Sequence, residues 1–246
     1  NRKFCRRFLS SQSSRRADLS VIKLPCQPCK EPRRGEYTNY FKEISIPEED
    51  KLLTDNDIPT LNEINNIMET IQQNNDEKAF LILSLAVKCA LTNTEICSLN
   101  KEYIAINSND EMYINYPPKG NNRISRIIKV PDDVAVLLDR YICNNNIIEG
   151  AIFINKRKTR IKLRDTERLL EKYCKLNIEK GMLNNKFTMQ TLRHAAICYM
   201  LSGGASKDLV ASYAGITTKW ITRYDKIINS DTYKQAVDYS IISINA

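Results

Sequence analysis

The twelve residues from Phe80 to Leu91 are apolar on nearly every side. A helix of that kind has no polar face to offer water, so other elements must enclose it, which forces a layered domain built around one central helix. It falls short of the roughly 18 residues that crossing a bilayer needs, and no other apolar run reaches that length. The hydrophobic share of 42% is enough to fill such a core, which excludes a disordered chain.

The elements around it are legible from period. Leu61, Ile64, Ile67, Met68 and Ile71 recur at helical spacing behind a Pro59-Thr60 start. Tyr103 to Ile106, Met112 to Tyr116 and Ile124 to Val130 are short alternating runs separated by Asn and Asp and by Pro117-Pro118-Lys119-Gly120-Asn121-Asn122, and predict a small antiparallel sheet. Helical patterns follow over 132–144, 165–180, 188–202 up to Gly203-Gly204, 206–214 up to Gly215, 218–228 and 231–244. Trp220 is assigned to the core. No internal repeat is found. The fold class expected is mainly α with one small three-stranded antiparallel sheet.

Charge divides the chain differently. Lys and Arg total 37 against 29 Asp and Glu, a formal net charge of +8. Residues 1–35 alone hold ten basic side chains, Arg15 and Arg16 among them, against Asp18 and Glu31. Residues 36–118 carry 5 basic and 15 acidic groups, and 119–172 carry 13 and 7. A basic arm joined to a basic half is the electrostatic footprint of a nucleic-acid partner. Residues 1–38, rich in Ser, Arg and Pro, read as a basic linker or arm, with a further DNA-binding domain expected upstream; residues 39–246 read as the folded domain. Lys156-Arg157-Lys158-Thr159-Arg160, continued by Lys162 and Arg164, reads as a phosphate-tracking segment.

Cys26-Gln27-Pro28-Cys29 has ligand-like spacing, but neither a second such pair nor paired histidines complete a zinc set, so no metal and no cofactor are expected. Cys89, Cys97, Cys143, Cys174 and Cys198 sit singly in apolar stretches, as thiols in a reducing compartment do. Phe8-Leu9 is too short for the apolar region of a signal peptide, and a cytoplasmic location with no membrane partner is expected.

Four segments, in order and spacing, resemble the catalytic domain of the tyrosine recombinases, the phage integrase family. Leu91-Thr-Asn-Thr-Glu-Ile-Cys-Ser-Leu99 stands where that family has T-G-x-R-[IV]-x-E-L, and Pro118-Lys119-Gly-Asn-Asn-Arg-Ile-Ser-Arg126 before Val130-Pro131 resembles its basic hairpin. Thr188-Met-Gln-Thr-Leu-Arg-His194 resembles H-x-L-R-H, and Leu209 to Ile216 followed by Thr222-Arg-Tyr224 resembles L-L-G-H and the nucleophilic tyrosine, one residue short. The resemblance covers roughly 46–235 and implies a tyrosine-recombinase catalytic fold with double-stranded DNA as partner.

Such a site must set a phenol oxygen in line with a backbone phosphate and neutralise the charge that builds on its oxygens. Guanidinium groups do the second because they are always charged and bind phosphate bidentately; a lysine can protonate the leaving oxygen. The resemblance makes Tyr224 the nucleophile, Lys119 the general acid and Arg193 a phosphate clamp; basic charge and the resemblance together give Lys119, Arg123, Arg126, Lys156, Arg157, Lys158, Arg160, Arg193, Arg15 and Arg16 as the expected DNA contacts. Three positions depart from the pattern: Glu95 replaces the first arginine, Gln190 the first histidine, and Ile216 the second histidine or tryptophan. His194 is the chain's single histidine. Losing one electrostatic donor typically removes about 3–4 kcal/mol of transition-state stabilisation, and a reversed charge removes more. Gln190 can donate a hydrogen bond but moves no proton near neutral pH, and Ile216 does neither. The expectation is a DNA-binding protein with a degenerate site, a phage or mobile-element repressor without strand cleavage; the alternative is a working recombinase that uses Tyr224. Glu95 is expected to pair with Arg193 or Lys119, and the final helix offers Tyr233, Val237 and Ile241 as one stripe for its own core or for a homo-oligomer on DNA.

Overall fold

The computed structural model describes residues 58–117 and 126–228. Helix α1 (Leu61–Gln73) begins at a reciprocal cap, in which the Thr60 hydroxyl accepts from the Glu63 amide and the Glu63 carboxylate accepts from the Thr60 amide at 2.8 Å. It buries Ile64, Ile67, Met68 and Ile71, the stripe its spacing predicts. Asp76 caps α2 (Glu77–Lys88), in which every residue from Ala79 to Lys88 is buried. The helix lies among α1, α3 (Asn93–Ser98), α4 (Asp132–Asn144), α5 (Leu163–Glu179) and α6 (Met189–Ser202), as an all-round apolar helix must. The cation that ends it, Lys88, is neutralised by Asp133 at the start of α4, because a buried ammonium without a partner would be prohibitively costly.

Between α3 and α4 runs a meander of β1 (Ile104–Ile106), β2 (Met112–Tyr116) and β3 (Arg126–Lys129), antiparallel in the order β1-β2-β3. Its register sets Ile104 opposite Ile114, Ile114 opposite Ile128, and Tyr116 opposite Arg126. Met112, Ile114, Tyr116 and Ile128 face the helices. After α6 the chain turns through Gly203-Gly204 into α7 (Lys207–Ala214), capped by Ser206 and ended by Gly215 in the left-handed conformation at φ 68°.

Two expectations need correction. The continuous helix expected over 218–228 is three short pieces: α8 (Thr218–Ile221), a tight 3₁₀ turn at Thr222–Tyr224, and α9 (Asp225–Ile228). The Thr222 hydroxyl donates to the Lys219 carbonyl at 2.8 Å, a local bond that competes with the regular helical ladder. Trp220 is not in the core but 45% exposed, with the Arg223 guanidinium 4.1 Å above its ring; the three-residue spacing lets the cation cover an apolar face that packing leaves open. The boundary at 38/39, Arg15, Arg16, Cys26, Cys29 and the helix expected over 231–244 lie outside the described residues, as do Lys119 and Arg123.

Candidate active site

Glu95, Arg126, Arg193, His194 and Tyr224 come from four separate stretches of fold and meet at one end of α6. Glu95 is fixed by the short helix that carries it. It occupies the third position of α3, where its carboxylate accepts from both the amide and the hydroxyl of Thr92 at 2.8 Å, while the Thr92 hydroxyl accepts from the Glu95 amide at 3.1 Å. The Tyr116 hydroxyl of β2 donates to the Glu95 carbonyl at 3.1 Å and ties helix to sheet.

Both oxygens of this buried carboxylate face cations. Arg126 Nη1 lies 2.5 Å from Oε1, and Arg193 Nη1 lies 3.6 Å from Oε2. Burial by itself would push the carboxyl up, but the charge and hydrogen bond of Arg126, together with the bonds from Thr92, outweigh it and hold Glu95 below the ordinary carboxylate value. The pairing expected with Arg193 is present, as the longer contact; the shorter one goes to Arg126. Lys119, the other expected partner, lies outside the described residues.

Both arginines are also anchored by backbone. Arg126 donates from Nε and Nη2 to the Tyr213 carbonyl at 3.1 and 2.7 Å. Arg193 donates from Nη2 to the Ala214 carbonyl at 2.6 Å and from Nη1 to the Ala90 carbonyl. Ala90 takes φ 48°, a conformation L side chains rarely adopt, in the turn that presents this carbonyl. Arg126 is expected as a DNA contact, yet its guanidinium is turned inwards. Parity explains the direction: Arg126 and Ile128 are two apart, so they share the face that packs on the helices.

Tyr224 is buried at 4% exposure and its hydroxyl sits 2.7 Å from His194 Nδ1. Burial, with Cys198 nearby, pushes the phenol up to about 12, against a smaller lowering by Arg193. His194 Nε2 lies 3.4 Å from the exposed Gln190 amide nitrogen, one helical turn earlier. Gln190, His194 and Tyr224 thus form a polar row that leads from solvent to a buried phenol. With Nδ1 unprotonated, the imidazole accepts a hydrogen bond from the phenol. The family pattern assigns His194 a supporting place only; its one-turn spacing from Gln190 is legible in the sequence, but its contact with Tyr224 is not. Ile216 is half-buried against the core, directed there by the Gly215 turn, in which its amide donates to the Ala211 carbonyl at 3.0 Å.

The basic segment forms a separate exposed turn beside α3. The Asn155 side chain accepts from the Arg157 and Thr159 amides at 2.9 and 3.1 Å, and Lys158 takes φ 59°. Lys156, Arg157 and Lys158 project at the tip. Arg160 donates back to the Cys97 carbonyl at 3.2 Å and to Asn100 Oδ1 at 2.6 Å, fastening the turn to the helix that carries Glu95. Among the described residues no group of acidic, Cys and His side chains is arranged to hold a metal ion, and no helix is long and apolar enough to cross a membrane.

A helical domain with a three-stranded meander, in which a buried arginine lies beside a late tyrosine, has the architecture of a tyrosine-recombinase catalytic domain. Residues 57–224 match the phage integrase family, and the chain belongs to it. The tyrosine recombinase XerC of Thermodesulfovibrio yellowstonii is 28% identical over 184 residues, which cover 71% of this chain and 51% of that protein. The chain therefore spans about half the length of this relative. Among solved structures, XerH recombinase bound to a palindromic difH substrate superposes with a TM-score of 0.61 at 15% identity, covering 76% of this chain and 54% of that one. XerA recombinase gives 0.58 at 16%, covering 72% and 61%. The Tn1549 transposon integrase in complex with circular intermediate DNA gives 0.57 at 13%, covering 87% and 72%. At these identities the structural likeness is one of fold.

Proposed function

We propose that this chain is a DNA-binding protein that grips duplex DNA without cutting it and serves as a transcriptional regulator, a repressor of a phage or mobile element. The observation that carries the reading is the Glu95 carboxylate set between Arg126 and Arg193. A scissile phosphate approaching Arg193 would meet a fixed negative charge where the family pattern has a positive one, and electrostatic complementarity to the transition state is the main source of rate in such a site. The exposed Lys156-Arg157-Lys158 turn supplies charge for holding the backbone, independent of that pocket. Assembly of copies on DNA through residues 231–244 belongs to the same proposal.

The second reading, a working site-specific recombinase with an atypical site, is favoured by the 2.7 Å contact between His194 and the Tyr224 hydroxyl, which would relieve the phenol of its proton. A nicked suicide substrate separates the two. The regulator forms salt-sensitive complexes with duplex DNA and no covalent adduct; an adduct that disappears in Tyr224→Phe establishes the recombinase. Absence of salt-dependent duplex binding would overturn both.

A further inference from the structure

Glu95 has the surroundings of a bound anion. Its two oxygens take hydrogen bonds or charge contacts from Arg126, Arg193 and Thr92, and it sits 9% exposed in the fold. We infer that Glu95 is an internal ligand occupying an oxyanion clamp formed by Arg126 and Arg193, and that removing its charge opens this clamp to a tetrahedral oxyanion such as phosphate. The inference rests on the proposed reading of Glu95 as the group that blocks a backbone phosphate. It goes beyond that reading by assigning Arg126, a strand residue, as the clamp's second cation.

Three features make the clamp a built site and not merely a pair of side chains drawn to a carboxylate. First, each guanidinium is held by backbone carbonyls that do not depend on Glu95: Tyr213 for Arg126, and Ala90 and Ala214 for Arg193. Second, space for Arg126 is provided in the backbone. A Cβ on Gly215 would stand 2.8 Å from Arg126 Cδ and 2.9 Å from Nε, so the stem passes where only glycine leaves room. Third, the two cations sit close together: burial first and then Arg126 lower the Arg193 guanidinium, and Glu95 opposes both. Two buried positive charges without a carboxylate between them are unstable unless an anion replaces it. Guanidinium pairs bind phosphate for the reason they bind carboxylate, through paired N–H donors matched to oxygen spacing.

The test is thermal unfolding of the full chain and of Glu95→Gln in sodium chloride and in inorganic phosphate at matched ionic strength. The clamp predicts that the Tm of Glu95→Gln rises steadily with the logarithm of phosphate concentration, as for a ligand that binds only the folded state. The parent protein and the surface control Glu111→Gln should show no phosphate-specific rise. Glu95→Gln combined with Arg126→Gln should lose it. Equal shifts in chloride and phosphate, or a phosphate response that survives removal of Arg126, overturn the inference. So does a Glu95→Gln chain that stays unfolded in both salts, because the carbonyl anchors are then insufficient to hold the arginines. Strand cleavage by the parent protein would refute the regulator reading while leaving this phosphate response to be decided on its own result.

Discussion

At the scale of single residues, the state of Glu95 decides how the site behaves. Its folded carboxyl is held below the ordinary value of 4.5, so the stability it contributes is fully present above about pH 4.5 and is lost as pH falls through its lowered value. Glu95→Gln should therefore unfold more easily in urea at pH 7 in chloride, by about 3 kcal/mol, the cost of breaking a buried ion pair. It should also lose less additional stability than the parent between pH 5 and pH 3, since it has no such carboxylate to protonate. Equal acid slopes in urea titrations would show that Glu95 is not a carboxylate under tension between two cations. Gly215 offers a sharper test because two independent effects coincide there. Alanine at φ 68° is strained, and its Cβ would press on Arg126. Gly215→Ala should cost about 2 kcal/mol, and part of that cost should vanish when Arg126 is also replaced by alanine, a coupling that a double-mutant cycle measures.

At the scale of elements, period and capping carried most of the fold into view. The reading of α1, α2, the meander, α4 and α6 follows from apolar spacing alone, because each element buries one stripe, one face or its whole circumference. Two kinds of information were missing. In β3 the run Ile127-Ile128 is apolar on both parities, so alternation did not say which face was inward; only the buried Ile128 and Val130 fix Arg126 on the inner side. For Glu95 the order of the recombinase-like segments gave the position, while its partners came from strands and turns distant in sequence, which no local pattern encodes. The capping box in Thr92-Asn93-Thr94-Glu95 was legible as S/T-x-x-E, however, and it means that α3 and the site stand on one device. Thr92→Ala should cost about 1 kcal/mol in equilibrium unfolding, and Thr92→Ser should restore most of it. If alanine and serine behave alike, the hydroxyl does not hold the carboxylate.

At the scale of the whole molecule, the cations of the described residues fall into two groups. In the described residues the cations around the phenol are internally engaged, whereas Lys156, Arg157 and Lys158 stand exposed on a turn braced by Asn155 and fastened through Arg160. If duplex binding is a matter of such outward charge, its affinity should depend on salt through the number of phosphates neutralised, with a slope in log K against log salt of about −0.9 per phosphate contact. Replacing Lys156, Arg157 and Lys158 together by alanine should reduce the magnitude of that slope by up to about 3 and weaken all duplex sequences alike, because backbone contacts carry no base identity. Arg193→Ala should leave the slope nearly unchanged, since its guanidinium is spent on two carbonyls and Glu95. Fluorescence anisotropy on one duplex between 50 and 200 mM salt, roughly the range over which clamp-like binding collapses, distinguishes the cases. A slope lowered by Arg193→Ala and untouched by the triple replacement would place the phosphate contacts in the pocket, and would count against a DNA-holding surface separate from the residues around Tyr224.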